Sequence, residues 1–279
     1  MDAILKYPRT PHLQGSRMQK GDEDLSQVPY AYLAGRYIVV EEKLDGANSG
    51  IRFDENAELR LQSRGHYLTG GGREKHFNLF KTWAAVHEED LFCILGDRFL
   101  MYGEWMHAKH TVFYDTLPHY FLEFDLFDTV RRVFLSTAER RAVLSGSPVI
   151  SVPVLYEGIA PKRLEELLAL IGPSLGKSPA WRGSLREVAV REGLDPQRIA
   201  RETEGSDLSE GLYIKVEERG ETVGRLKWVR SDFLQTITEN ESHWLSRPIV
   251  PNQLAAGVDL FGPLSAGWPV PHERTEVRN

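Results

Sequence analysis

The stretch Tyr37-Ile38-Val39-Val40-Glu41-Glu42-Lys43-Leu44-Asp45-Gly46-Ala47-Asn48 runs from an apolar segment into a polar turn and places a lysine at the junction. Four consecutive apolar residues followed by Asp-Gly read as a strand that stops in a turn. Lys43 therefore closes a strand over residues 37–43, where a side chain can leave a sheet for a cleft, and it is the candidate nucleophile. A solvated lysine is neutral in only about one molecule in 2,500 at pH 7, so nucleophilic use requires surroundings that lower its pKa. Alone, Lys-x-Asp-Gly is more often a solvated turn than a site, and the rest of the chain has to supply those surroundings.

Working outward, two further strands are expected at 49–53 and 59–63, each with partial period-two alternation. Gly70, Gly71 and Gly72 form a loop; they lack the strand-to-helix context of a phosphate loop. Apolar Phe77, Phe80, Trp83, Ala84 and Val86 predict a helix over 76–88, and strands follow at 98–105 and 119–127. Ser136 with Glu139 predicts a capped helix, Pro161 opens another that ends near Gly172, and Ser184 with Glu187 and Asp195 before Pro196 open two more. Residues 158–204 thus read as a helical insertion between strands. Leu212, Ile214 and Val216 alternate with Tyr213, Lys215 and Glu217, and the chain returns through 223–229, which is a hairpin. The proline-rich tail after Ser246 (Pro248, Pro251, Pro263, Pro269, Pro271) reads as a loosely packed appendage. The expected division is 1–245 for the main domain and 246–279 for the appendage.

A chain of 279 residues, 41% hydrophobic and 27% charged, suits one large domain with a small addition. The one cysteine, Cys93, excludes an internal disulfide and a cysteine-based zinc site. No secretory or membrane-spanning segment is expected, so a cytoplasmic location is the default. A net charge of -6 argues against broad charge-driven binding of nucleic acid and leaves room only for a local basic groove.

Five short segments place unusual polar residues at or beside strand ends: Lys43 with Asp45 and Asn48; Ser63-Arg64-Gly65; Tyr102-Gly103-Glu104-Trp105; Ser209-Glu210-Gly211; and Arg225-Leu226-Lys227. With the aromatic strand Tyr120-Phe121-Leu122-Glu123-Phe124-Asp125, they resemble in order the covalent nucleotidyltransferases, the superfamily of ATP-dependent ligases and mRNA capping enzymes. The resemblance covers most of residues 36–229 and implies an α+β nucleotidyltransferase fold, with antiparallel sheets flanking an ATP cleft. Five residues after the lysine, DNA ligases and capping enzymes usually carry arginine, whereas Gly46-Ala47-Asn48 is similar to the RNA ligases of the nick-sealing and RNA-editing branch. The pattern departs at Asp45, where several of those ligases have histidine, and at Arg225, where lysine is common.

Each residue also has a physical role to fill. Lys43 Nζ would attack the α-phosphorus of ATP, with Asp45 beside it. Arg225 and Lys227, two apart on one strand, share a face and can both meet phosphate, Lys227 as the α-phosphate partner. Glu104 and Glu210 raise the lysine's pKa unless a divalent ion intervenes, and they are the expected anchors for Mg²⁺ (or Mn²⁺), directly or through water. Lowering the lysine's pKa by about 3 takes roughly 4 kcal/mol of differential interaction. Arg64 and Asn48 can bind ribose hydroxyls or a 5′-phosphate, Phe124 could stack on adenine, and Glu42 could accept from its amino group. Against these stand plain alternatives: surface carboxylates for Glu104 and Glu210, a solvated strand face for Arg225 and Lys227, and core packing for Phe124, which shares parity with Tyr120 and Leu122.

What the resemblance implies is an ATP-dependent RNA ligase, AMP-forming, joining RNA 3′-OH and 5′-phosphate ends in RNA repair through a lysyl-AMP intermediate. The competing readings are a DNA ligase or capping guanylyltransferase, disfavoured by Asn48 and by a C-terminal stretch too short for a full OB domain, and a non-catalytic RNA-binding module. RNA is the expected partner. The tail, the helical insertion, a homodimer or an end-healing kinase/phosphatase could complete the grip on it.

Overall fold

The computed structural model describes residues 4–18, 21–22, 24–233, 248–262 and 267–268. Twelve strands form two sheets: β1 (His12–Leu13), β2 (Gln27–Val28), β3 (Tyr37–Glu42), β4 (Ala47–Phe53), β5 (Leu59–Ser63), β6 (Phe99–Trp105), β7 (Phe121–Asp128), β8 (Val133–Phe134), β9 (Ile150–Ser151), β10 (Val154–Ile159), β11 (Gly211–Glu218) and β12 (Glu221–Val229). The helices are α1 (Asn78–Val86), α2 (Glu88–Leu95), α3 (Thr137–Val143), α4 (Leu164–Leu168), α5 (Trp181–Arg191) and α6 (Pro196–Arg201). The first sheet runs β10-β3-β11-β12-β1-β2 and the second β5-β4-β6-β7-β8, with β9 also on β7. Pairing is antiparallel except where β1 meets β12 and β2, and where β9 meets β7. This is the α+β, antiparallel-rich architecture expected.

Alternation decides which way each sheet faces. Ile38 and Val40 of β3 join Leu212, Ile214, Val216 and Leu226 in a core closed by Leu33, Ala160 and Leu167. The opposite parity of the first sheet, Glu41, Lys215 and Arg225, is turned toward the second sheet, where Asp125 meets Lys215 and Arg225 and Arg140 of α3 joins Glu41 to Glu123. In the second sheet Ile51, Phe53, Leu61, Met101, Trp105 and Phe121 pack on Phe80, Trp83, Leu91 and Leu95 of α1 and α2. Beside those charged residues the sheets also meet in an apolar cluster that includes Leu44, Tyr102, Leu122, Phe124 and Val229.

Several sequence expectations shift. The region expected as one helix is a 3-10 turn, Gly72–Phe77, followed by α1, and the unexpected α2 begins with Glu88, Glu89 and Asp90, acids that suit a helix N-terminus. Ser136 caps α3 by accepting from Glu139 N, and Asp195 caps α6, as expected. Ser184 is no cap: α5 starts at Trp181, because Trp181, Leu185 and Val188 form its buried stripe. The helix expected over 161–172 shrinks to α4. The expected appendage lies partly outside the described residues; within them, Asn252 is 1% exposed and its side chain donates to Met106 O and accepts from Tyr114 N. Among the described residues no helix is long and apolar enough to cross a membrane.

Candidate active site

Lys43 follows β3 and Glu210 precedes β11, and the two strands are antiparallel neighbours, so a sequence separation of 167 closes to one contact. Lys43 N donates to Gly211 O at 3.1 Å, and Nζ donates to Glu210 Oε2 at 2.7 Å. The pair is sheltered: the Lys43 side chain is 20% exposed and that of Glu210 is 1%. Gly211 is obligatory here, since a Cβ would stand 1.9 Å from Trp228 O. Gly46 is similar, with a Cβ 2.5 Å from Met106 Sδ and 3.0 Å from Trp105 O. The Glu-Gly and Asp-Gly pairs seen in the sequence thus report close backbone approaches around the lysine.

Burial pushes Lys43 toward the neutral form, but the carboxylates of Glu210, Asp45 and Glu104 outweigh it and leave its pKa raised. The lowered pKa expected for the nucleophile is not supplied by protein groups alone. Glu104, on β6, stands opposite Asn48 on β4 and is half-buried. Its Oε2 is closed off from solvent with no protein partner, and burial pushes its pKa up to about 8, with Lys43 pulling down and Asp45 and Glu210 pushing up. A carboxylate oxygen left without a donor beside a second carboxylate fits a hard cation. Among the described residues no three His, Cys, Asp or Glu side chains converge on one metal position. Glu104 and Glu210 would therefore hold Mg²⁺ together with waters and substrate phosphate.

The remaining expected residues divide. Asn48 is adjacent through its pairing with Glu104, and exposed Arg64, just past β5, is near enough to lower Glu104's pKa. Asp45 is turned to structure: Oδ2 accepts from Thr111 N at 2.6 Å and Val112 N at 2.8 Å, fastening the turn after the lysine. Lys227 reaches the Lys43 region, and burial lowers its pKa with Lys43 adding to the effect. Its Nζ donates to Asp22 Oδ2, which also meets His12 Nε2 at 3.1 Å. Arg225 keeps the parity of Lys227 but is set into the cleft floor, with Nε donating to Asp125 Oδ2 at 3.0 Å and the guanidinium lying 3.8 Å over the Phe134 ring.

Two residues expected at adenine are occupied otherwise. Glu42 has the parity of Val40 and is 3% exposed; Oε1 accepts from Ser174 Oγ at 2.5 Å and Oε2 from Leu175 N at 3.1 Å. Burial pushes its pKa up to about 7 against those bonds. Phe124 is 8% exposed and meets the Tyr7 ring edge-on at 5.0 Å.

Beneath the lysine runs a buried charge network that sequence reasoning missed. Arg140 donates to Glu41 at 2.8 Å and Glu123 at 2.9 Å, and Lys215 donates to Glu41 at 2.9 Å and lies 3.3 Å from Asp125. Three cations, with Arg225, face three carboxylates and tie the two sheets together. Tyr7 adds a hydroxyl donated to Asp125, within 2.8 Å of the Tyr213 hydroxyl. Alternation of Lys215 with apolar neighbours was visible, but nothing local tells a buried polar face from a solvated one. Tyr7, His12 and Asp22 sit in an N-terminal segment with no periodic signal.

With the geometry in place, the comparisons are direct. The RNA ligase family model matches residues 36–229, a span that contains Lys43, Arg64, Glu104, Glu210 and Lys227. No curated protein matches the sequence. Among solved structures the fold is similar to that of a Naegleria gruberi RNA ligase variant with ATP and Mn, at 18% identity and TM-score 0.50, over 82% of this chain and 56% of that one. A second Naegleria gruberi variant, with AMP and Mn, gives 16% identity and TM-score 0.50 over 87% and 57%. The chain thus spans a little over half the length of these ligases, and identities this low speak for the fold alone. Cleft, ordered segments and family model agree: the chain belongs to the RNA ligase family.

Proposed function

We propose that the protein is an ATP-dependent RNA ligase that joins RNA 3′-OH and 5′-phosphate ends through a lysyl-AMP intermediate on Lys43. The observation that carries this reading is the sheltered Lys43–Glu210 contact of 2.7 Å beside the unpartnered carboxylate of Glu104. These carboxylates alone hold Lys43 as an ammonium, so the lowering of its pKa falls to a divalent cation that Glu104 and Glu210 would hold. Glu210 Oε2 is the nearest acceptor for the proton that Nζ must shed. The N–P bond then forms at the α-phosphorus of ATP as the bond to the β-phosphate oxygen breaks, and pyrophosphate leaves. Lys227 offsets α-phosphate charge, and Asn48 and Arg64 orient ribose or the incoming 5′-phosphate.

AMP next passes to the RNA 5′-phosphate, and the 3′-hydroxyl attacks that activated end, releasing AMP. A divalent cation held by Glu104 and Glu210 supplies charge neutralisation, which favours neutral lysine. The Naegleria ligase variants were solved with ATP or AMP and Mn, which supports ATP with Mg²⁺ or Mn²⁺ as the requirement here. Residues 1–245 would form the adenylylation unit, with 246–279 as its appendage. RNA repair is the setting this chemistry suits, with an end-healing kinase/phosphatase as the class of enzyme that prepares the ends.

Asn48 in the position beside Glu104 favours RNA ligase over DNA ligase or capping enzyme. The test is a sealing assay on 5′-phosphate/3′-OH substrates (nicked duplex, broken hairpin and single strand, in RNA and DNA) with ATP or GTP. Sealing of RNA with ATP is expected; sealing confined to DNA, or dependence on GTP, contradicts the reading.

A further inference from the structure

We propose that His12 is a positioning residue for nucleotide binding: it keeps Asp22 paired when Lys227 leaves that carboxylate for the α-phosphate of ATP, and so sets how readily the lysine is released. This role deepens the ligase reading above and rests on it. Backbone pairing lays the N-terminal segment along the lysine's own strand. His12 of β1 is the register partner of Lys227 of β12, Lys227 N donates to Pro11 O at 2.9 Å, and Arg17 N donates to Val229 O at 3.0 Å. Gly15, at φ 76°, turns the chain, and Ser16 N donates to Leu13 O at 3.0 Å. The turn brings Ser16 Oγ to 2.7 Å from His12 Nδ1, and the same oxygen accepts from Val229 N at 2.9 Å. The imidazole is thus tied to β12 on one side, and His12 is 0% exposed.

The acceptor fixes where the protons lie. Asp22 Oδ2 is 3.1 Å from His12 Nε2 and accepts from Lys227 Nζ, while Oδ1 accepts from Arg9 at 3.3 Å. Burial pushes the Asp22 carboxyl up, but the hydrogen bonds from Lys227, His12 and Arg9 outweigh it and leave its pKa lowered. An ionised carboxylate only accepts, so His12 Nε2 carries the hydrogen. Burial lowers the pKa of the ring, and Lys227 and Lys43 add to this against the pull of Asp22, which keeps the imidazole neutral. Nδ1 is then bare and takes the hydrogen of the Ser16 hydroxyl. Asp22 therefore has one uncharged donor locked in place beside a lysine on a flexible stem. When Lys227 turns to phosphate, Oδ2 keeps the imidazole and Oδ1 keeps Arg9, so the sheltered carboxylate is not stranded. Without the imidazole, Asp22 would depend on Lys227 more and release it less readily.

The experiment is calorimetric titration of the full chain with α,β-methylene-ATP and Mg²⁺, a nucleotide whose α–β link cannot be cleaved, so that binding is read without adduct chemistry. His12→Phe should weaken binding about tenfold, the scale of one hydrogen bond to a charged group. His12→Gln, whose amide can donate to Asp22, should recover most of that loss. In an Asp22→Asn background His12→Phe should change affinity little, because the charge it acts through is gone. A histidine that only supports the fold would instead lower melting temperature and affinity alike in both backgrounds. In the wild type without nucleotide, ¹⁵N spectra of the His12 ring at pH 7 should show a protonated Nε2 and a bare Nδ1. A bare Nε2, a wild type that binds no analogue, unchanged affinity in His12→Phe, or a loss that persists undiminished beside Asp22→Asn each overturns the proposal. If the analogue binds with the expected dependence on His12 but ATP yields no adduct, the ligase reading fails and the positioning role stands; an adduct with affinity indifferent to His12 gives the reverse.

Discussion

Lys43 Nζ and Glu210 Oε2 lie 2.7 Å apart although 167 residues separate them, and the carboxylate favours the ammonium form of the lysine. Glu210→Gln keeps a hydrogen-bonding partner but removes the charge that raises Lys43's pKa. In chelator, the reactivity of Lys43 toward an amine-acylating reagent, read by peptide mass spectrometry against pH, should therefore shift to lower pH in this variant. Adduct formation with ATP should meanwhile fall by about 100-fold or more, the scale of losing one preorganised charged group. An unchanged acylation profile would remove Glu210 from the lysine's electrostatics.

Glu104 gives a pH signature. Its folded carboxyl is pushed up to about 8 from an ordinary 4.5, so the folded chain binds this proton more tightly than the unfolded chain. That stabilisation is complete below about pH 4.5 and is lost as the pH rises toward 8. In chelator, wild type should lose melting temperature between pH 6 and 8.5 relative to Glu104→Gln, which has no proton to release. Mg²⁺ competes with that proton, so its stabilisation of the wild type should grow across the same range and be small in Glu104→Gln. Equal Mg²⁺ effects in the two proteins would take Glu104 out of the metal site.

The charge network beneath the cleft sets the cost of its parts. Lys215 is 0% exposed and meets Glu41 and Asp125, so Lys215→Met leaves carboxylates buried without their counter-charge. Urea unfolding should show a loss of about 3–5 kcal/mol at an unchanged slope. Burial alone would raise Asp125, yet Arg225, Lys215 and Arg140 hold it at about 2. Its contribution to stability is therefore present above about pH 4 and lost as the pH falls toward 2. A loss below about 1 kcal/mol for Lys215→Met would mean that the network is dispensable.

Asp22 holds Lys227, the cation proposed for the α-phosphate. Asp22→Asn should free that ammonium and lower the ATP concentration giving half-maximal adduct, whereas Lys227→Ala should abolish adduct formation or sealing. A higher ATP requirement in Asp22→Asn would show that the carboxylate helps position Lys227 instead of competing for it.

How far the sequence could be read follows from where each signal lies. Lys43, Glu104 and Glu210 could be singled out because each lies at or beside a strand near a glycine that reports a close backbone approach, as Gly211 does over Trp228 O, and Lys227 because it shares a strand face with Arg225. The hairpin of β11 and β12 was legible from alternation alone. Lys215 was seen on the polar parity, but its burial is a tertiary fact made by β7 and Arg140 of α3. The contacts of Glu42 and Phe124 were hidden for a related reason: adjacency to the lysine and aromatic character are local, while Ser174, Leu175 and Tyr7, which meet them, come from distant segments. The N-terminal segment gave no pattern because its strands β1 and β2 are two residues each and the rest is held by single contacts, such as Leu5 O accepting from Gln62 and Tyr102.

The most direct measurement is covalent labelling with α-³²P ATP and Mg²⁺, followed by peptide mapping. Wild type should carry one AMP on Lys43 through an acid-labile phosphoramidate, and Lys43→Ala should carry none while melting as the wild type does. A labelled adduct that persists in Lys43→Ala, or a wild-type adduct mapped to another residue, contradicts the assignment of Lys43 as the nucleophile.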